Sequence, residues 1–343
     1  MPDNGKFVRI AVDTMGGDYA PEEIIKGAVT AAEREHVEII LVGPIEILER
    51  ELAKYDISHL SIRCVRAEEV IKEGESPAFA VRRKPNASIA VATNLVRTET
   101  ADAIVSAGPT GAASVSAIRL LGMMPGLERP TLCVPLVGLA PNTVLVDGGA
   151  NIDCKPHQLL SFAVIGSVYA KKLLNVSNPK IALLSIGAEE GKGSRLIQES
   201  YQLLQNSNLN FVGNIEGYDI LSGRANVIVC DGIVGNILTK FYESMGHYLI
   251  AWVKARLGNL PLGESIRKLL DQMTSFTKIT KHESDGGGLL WGVNGVVHLL
   301  HGHSRARQVS KAAARAKQAV EIDLLGSLKS ELTTIRSKHL ITT

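Results

Sequence analysis

The sequence lacks an uninterrupted apolar run of the roughly 18 residues that a membrane-spanning helix requires, so any contact with a bilayer is read as peripheral. The amino terminus, Met1 to Lys6 followed by Phe7 to Val12, lacks the charged, then apolar, then small-residue order of a secretory signal. The four cysteines, Cys64, Cys133, Cys154 and Cys230, stand apart in or beside apolar runs, with no close pair that would make a metal knuckle or redox motif. Reduced thiols in a cytosolic protein are therefore expected. The net charge of +2 is too small to argue for nucleic acid as a partner, and any partner electrostatics must be local.

Several common catalytic motifs are also missing. There is no Gly-x-x-x-x-Gly-Lys-Ser/Thr phosphate loop, which removes nucleotide hydrolysis of that type. The first strand-to-helix turn holds Gly16-Gly17 without the spaced third glycine of a dinucleotide fingerprint. No Gly-x-Ser-x-Gly elbow marks a serine nucleophile. His301 and His303 lie one residue apart with no carboxylate nearby, a pattern that favours hydrogen bonding over metal ligation, so no metal is expected.

What is present is a glycine-rich globular composition: 45% hydrophobic residues, 4% aromatic, and 32 glycines in 343 residues. Disordered, collagen-like and disulfide-scaffold classes are excluded. Short Val/Ile/Leu runs alternate with helical stretches, which calls for an α/β fold with a mostly parallel sheet and helices on both faces. Strands are expected at Val8–Asp13, Val37–Gly43, Ser61–Arg66, Ala103–Ala107, Leu132–Val137, Val144–Asp147, Lys180–Ile186, Asn210–Gly213 and Val227–Asp231. Helices are expected at Glu22–Glu35, Ile45–Tyr55, Ser88–Val96, Ala113–Leu121, His157–Leu174, Arg195–Gln205, Asn236–Arg256 and Ala306–Val320. No low-complexity linker divides the chain, so residues 1–343 are read as one domain. Residues 241–276 stand out as a helical hairpin with an apolar tip around Leu257, Leu260 and Leu262, which suits a second subunit, a membrane surface, or both. Residues 330–343 read as a tail.

Five strand-to-helix turns carry glycines: Met15 to Asp18, Ala107 to Gly111, Asp147 to Asn151, Ile186 to Gly193 and Asp231 to Asn236. In an open parallel sheet such turns gather at the carboxyl edge, where helix amino termini offer N–H groups to anions, so together they point to a phosphate-handling cleft. Acids on these turns (Asp13, Asp18, Glu189, Glu190, Asp231) fit helix capping and turn fixing as well as acid–base work. Lys192 and Asn236 fit anion binding better, because an ammonium and an amide present only protons to a phosphate or a developing oxyanion. The candidate phosphate and substrate contacts are thus Asp13, Gly16, Gly17, Asp18, Gly108, Thr110, Gly149, Asn151 and Asp231, with Lys192 and Asn236 as the catalytic pair. A basic stripe of Arg307, Lys311 and Arg315 repeats every four residues on the last long helix, a spacing suited to a solvated face or an acidic protein partner.

These blocks resemble a known family. Ala11-Val12-Asp13-Thr14-Met15-Gly16-Gly17-Asp18, Lys84-Pro85-Asn86-Ala87-Ser88, Gly149-Ala150-Asn151-Ile152-Asp153-Cys154-Lys155-Pro156, Ile186 to Gly193, Asn210 to Gly217, Val229 to Asn236 and Gly292 to Val297 occur in order. They are similar to the bacterial phosphate acyltransferases, which form acyl phosphate from acyl carrier protein thioesters and inorganic phosphate for phospholipid synthesis. The resemblance implies a Rossmann-like fold of the isocitrate/isopropylmalate dehydrogenase and phosphotransacetylase type. It also implies a homodimer and loose attachment to the inner face of the cell membrane, alongside a downstream glycerol-3-phosphate acyltransferase. No metal or nicotinamide cofactor is implied. Two positions depart from the family pattern: Pro109 stands where asparagine is usual, and Trp291 where a smaller residue is usual. A phosphotransacetylase-like enzyme using acyl-CoA and a non-catalytic scaffold remain the alternatives at this point.

Overall fold

The strands follow from their composition: Ile10-Ala11-Val12, Ile39-Ile40-Leu41-Val42 and Ile181-Ala182-Leu183 are fully buried, apolar throughout instead of alternating, as strands covered on both faces must be. The computed structural model describes residues 7–136, 140, 142–257, 264, 268 and 287–336. Its contacts gather in two compact units, one of residues 1–130 with 285–330, the other of 131–284 with 331–343.

The first unit holds β1 (Arg9–Asp13), β2 (Glu38–Gly43), β3 (Ile62–Arg66), β4 (Ala103–Ser106), β10 (Gly288–Trp291) and β11 (Val296–Leu299) in the order β3-β2-β1-β4-β11-β10. All pairings are parallel except β10 with β11. From β1 the chain runs outward through α1 (Glu22–Glu35) to β2, then through α2 (Ile45–Leu52) to β3. It then returns by α3 (Pro77–Arg83) and α4 (Ser88–Arg97) to β4 on the other side of β1. The direction of winding reverses between β1 and β4, so the turns after these two strands lie side by side at a topological switch point. α5 (Thr110–Leu120) follows β4, and α9 (Ala306–Glu321) lays Val309, Ala312, Ala313 and Ala316 inward against α1. The remaining helix, α10 (Leu324–Arg336), buries Leu324 and Leu328.

The second unit holds β5 (Thr131–Pro135), β6 (Val144–Val146), β7 (Ile181–Leu184), β8 (Phe211–Ile215) and β9 (Val227–Val229) in the order β5-β6-β9-β7-β8. β6, β9, β7 and β8 are mutually parallel, and β5 runs antiparallel to β6. α6 (Pro156–Leu173) joins β6 to β7 and is buried on nearly every side from Leu159 to Val168, which explains a sequence with so little polar content. α7 (Arg195–Gln205) joins β7 to β8, and α8 (Gly232–Leu257) follows β9. With β9 between β6 and β7, the carboxyl edge aligns the 147–151, 231–236 and 185–193 loops.

Helices α1 and α7 occupy the ranges that periodicity predicts, and the nine expected strands all form, most one or two residues shorter. Four elements were not expected: α3, α10, and the strands β10 and β11. The stretch expected as a tail is helical as far as Arg336, and 337–343 lie outside the described residues. The first arm of the expected hairpin belongs to α8, whereas Leu260 and Leu262 lie outside the described residues and nothing is described of the Leu257 side chain. Trp291, one of the two departures, is a buried core residue of β10 whose neighbours Leu289, Leu290, Leu324, Leu325 and Leu328 line the same small apolar cavity.

Candidate active site

In the first unit, Asp13 ends β1 and faces inward, 2% exposed. Its carboxylate accepts from Ser106 Oγ at 2.7 Å and from the Met15 N–H at 3.4 Å, while Ser106 Oγ in turn accepts from the Gly108 N–H at 3.1 Å. Asp13 thus ties the turn after β1 to the turn after β4. The two turns approach so closely that a Cβ at Gly16 would stand 2.5 Å from the Gly108 nitrogen, so only glycine fits there. Asp18 is exposed, and its N–H donates to the Gly302 carbonyl at 2.7 Å. Thr110 is exposed in the first turn of α5, and Pro109 caps that helix only through its carbonyl, which accepts from the Ala113 N–H at 3.0 Å. No acid stands in that first turn, so the positive end of the helix dipole is left open to an anion.

Burial pushes the Asp13 carboxyl above the usual carboxylate range, against the opposing hydrogen bonds from Ser88 and Ser106. The native protein therefore holds this proton to higher pH than the unfolded chain does. Stability from this group is present below the ordinary carboxylate value and is lost as pH rises through the native one. Asp13→Asn, which cannot ionise, is expected to flatten that fall; urea unfolding at steps between about pH 4 and 7 measures it, and superimposable profiles for the two proteins would refute it.

In the second unit, Asp147 follows β6 and is fully buried. Its Oδ1 accepts from Thr131 Oγ1 at 2.9 Å, the Leu132 N–H at 3.0 Å and the Gly149 N–H at 3.3 Å; its Oδ2 accepts from the Asn151 N–H at 2.7 Å and Asn151 Nδ2 at 2.9 Å. Asn151, 4% exposed, passes the constraint on, since its carbonyl accepts from the Gly232 N–H at 2.8 Å. Asp231 caps α8: its Oδ1 accepts from the Val234 N–H at 2.9 Å. Four residues into that helix, a Cβ at Gly235 would fall 1.7 Å from the Asp147 carbonyl oxygen, so the helix start sits directly on the loop. Asn236 comes next, exposed, with its side chain against Gly149; a Cβ on Gly149, whose φ is +132°, would lie 3.1 Å from Asn236 Cβ.

Lys192 is exposed on the loop after β7, one strand beyond β9 along the same edge. The predicted residues therefore separate by place. Gly149, Asn151, Lys192, Asp231 and Asn236 share the carboxyl edge of the second unit, while Asp13, Gly16, Gly17, Asp18, Gly108 and Thr110 belong to the first. Asp13 and Asn151 are turned onto the loops themselves, and Asp231 is engaged in its cap. Asp147, Thr131 and Ser106 were not singled out as site residues, yet they hold these loops; a buried acid at a strand end beside glycines is the one signal that marked Asp147.

The basic candidates lie on α9, and the 301–303 segment meets the turn after β1 through Gly302. On α9, Arg307 is exposed, while Lys311 and Arg315 are half-buried and Arg315 Nη1 donates to the Gly287 carbonyl at 3.4 Å. His301 and His303 stack at 5.5 Å between ring centroids, and among the described residues no cluster of acids, histidines and cysteines could hold a metal. Burial drives the Cys133 and Cys230 thiols well above their usual range, which leaves them poor nucleophiles.

Comparison with known proteins places this geometry. Residues 8–325 match the family model described as fatty acid synthesis protein. A phosphate acyltransferase of Desulforamulus reducens is 43% identical over 95% of this chain and 98% of its own, and one of Pelotomaculum thermopropionicum is 44% identical over 96% and 97%. Among solved structures, a phosphotransacetylase from Streptococcus pyogenes superposes with a TM-score of 0.62 at 20% identity, covering 92% of this chain and 95% of that one. A 4-hydroxythreonine-4-phosphate dehydrogenase from Klebsiella pneumoniae superposes at 0.50 with 14% identity, covering 94% and 100%. The structural likenesses bear out the Rossmann-like α/β fold, and the sequence relatives carry the family: the chain belongs to the phosphate acyltransferases, a family of enzymes.

Proposed function

We propose that the protein transfers a fatty acyl group from an acyl carrier protein thioester to inorganic phosphate, giving acyl phosphate for phospholipid synthesis. The observation that carries this reading is the second unit's carboxyl edge, where Lys192 stands exposed on a loop braced by Asn214 and Asn236 stands exposed at the start of α8, which is seated on the Asp147 loop. Phosphate is already a nucleophile near neutral pH, so no strong base is demanded. A phosphate oxygen bonds to the thioester carbon, the carbon–sulfur bond breaks, and the thiolate departs and takes up a proton from solvent. The Lys192 ammonium offsets the charge of the phosphate, and the Asn236 amide donates to the tetrahedral oxyanion. The raised thiols of Cys133 and Cys230 support direct transfer over an acyl-enzyme at those positions.

The carrier protein is the donor in this reading because Arg307, with the half-buried Lys311 and Arg315 behind it, offers a basic approach to an acidic partner. Ile233, Ile237, Phe241, Tyr248, Leu249 and Trp252 are exposed along α8, an apolar surface for a second copy of the chain, and Leu257, Leu260 and Leu262 supply the apolar residues for membrane contact. No described helix is long and apolar enough to cross a bilayer. The second reading is a phosphotransacetylase-like enzyme that takes acyl-CoA as the donor. The experiment is acyl phosphate formation by purified protein from long-chain acyl carrier protein and inorganic phosphate, trapped with hydroxylamine, with acyl-CoA in parallel. Carrier-dependent product is expected. Product from acyl-CoA alone would install the second reading, and none from either would refute the transferase reading.

A further inference from the structure

The loop that presents Lys192 keeps three of its carbonyl oxygens occupied. Asn214, on β8 and 2% exposed, donates from Nδ2 to the Glu189 carbonyl at 2.9 Å, and the Lys192 backbone N–H donates to the same carbonyl at 3.1 Å. Gln198, in the first turn of α7, donates from Nε2 to the Gly191 carbonyl at 2.9 Å and to the Gly193 carbonyl at 3.1 Å. Two side-chain amides, from a strand on one side and a helix on the other, thus hold three carbonyls around one lysine. The physical need is plain: a carbonyl oxygen carries partial negative charge and repels an anion, so a loop that receives one must turn these groups onto other donors.

Asn214 also bears a cost that packing does not explain. Its Oδ1 is buried without a hydrogen-bond partner, as is Ser185 Oγ beneath the same loop. A buried amide satisfied on one side only is unfavourable relative to an apolar side chain of similar volume, so its donor is the group with a task. Among the described residues that donor's one partner is the carbonyl on which the Lys192 turn closes.

We propose that Asn214, with Gln198 opposite, is a positioning residue that fixes the 186–193 loop with the Glu189, Gly191 and Gly193 carbonyls held on other donors and Lys192 presented to phosphate; the inference rests on the reading of Lys192 given above. Asn214→Asp tests it, because it keeps the side chain's shape and puts an acceptor where the donor stood. The KM for phosphate is expected to rise about tenfold with the KM for the acyl donor little changed, while the unfolding midpoint falls because a buried acceptor now faces the Glu189 carbonyl; the split between the two KM values is what a merely structural loss would not give. In a Lys192→Ala background the same substitution is expected to change phosphate dependence less than about twofold, since a residue that acts through Lys192 has nothing left to position.

An unchanged KM for phosphate in Asn214→Asp would overturn the proposal. So would a full tenfold effect added on top of Lys192→Ala. A neutral Lys192→Ala would instead show that the reading of Lys192 has failed, and the inference would fall with it. Should Asn214→Asp not fold, Gln198→Ala on the exposed side of α7 takes its place, with an expected rise of about threefold that again vanishes without Lys192. An additive or absent Gln198 effect would be equally decisive against the proposal.

Discussion

Asp147→Ala is expected to destabilise the second unit by about 3 to 5 kcal/mol, read as a loss of unfolding free energy in urea. Five donors converge on its two oxygens, from Thr131, Leu132, Gly149 and twice from Asn151, at 2.7 to 3.3 Å, and the residue has no exposed surface. Each buried donor left without a partner costs roughly 1 to 3 kcal/mol, and the total stays below the sum because water and a relaxing loop take up some of them. The damage does not stop at the loop. Asn151 accepts from the Gly232 N–H at the start of α8, and a Cβ at Gly235 would meet the Asp147 carbonyl, so the helix that carries Asn236 is seated on this hub. Asp147→Asn keeps the volume but turns an NH2 toward incoming donors, and an intermediate loss of about 2 kcal/mol is expected. A loss under about 1 kcal/mol for the alanine variant would mean that the hub holds nothing.

How much of this was readable before any coordinates depends on the range of the interactions involved. Helices α1 and α7 and the nine apolar strands are local matters of periodicity and burial, and they stand where the residues point. The β10–β11 hairpin was hidden because each run is four residues long between glycines, and β11 owes its existence to pairing with β4, Val296 beside Ala103, far back in the chain. Helix α3 is too short to show a period. The division into two units falls at Pro130, where composition changes too little to mark it. Within the candidate site, the glycine turns, Lys192 and Asn236 were legible as the residue types an anion would need, and Lys192 and Asn236 stand exposed. Asn214 and Gln198 were not, since their partners are backbone carbonyls that only the folded loop brings near. Asp13 shows the other limit: it reads as a ligand contact from its place beside Gly16 and Gly17, and burial turns it into a brace between two turns.

Lys192→Ala and Asn236→Ala are each expected to lower turnover on the order of a hundred- to a thousandfold, the effect of removing one donor from a charge-stabilising site. Among the described residues the Lys192 ammonium has no ion-pair partner and the Asn236 side chain no hydrogen bond, so neither is spent on the fold. Their loss is expected to change stability by less than about 0.5 kcal/mol, which separates them from Asp147, where activity and stability fall together. In the proposed reading the two differ in what they meet. Lys192 would attract the phosphate before and during attack, so its loss is expected to raise the KM for phosphate as well as lower kcat. Asn236 would meet charge that develops only in the tetrahedral species, so its loss is expected to fall on kcat with KM little changed. Lys192→Arg keeps the charge on a larger, planar group and is expected to recover part of the phosphate affinity but little of the turnover, because a guanidinium spreads its charge and sets its donors at different positions from a compact ammonium. Steady-state kinetics with phosphate and acyl donor varied in turn, on variants shown to be folded, decide the matter. Near-full turnover in both alanine variants would take the chemistry away from this edge.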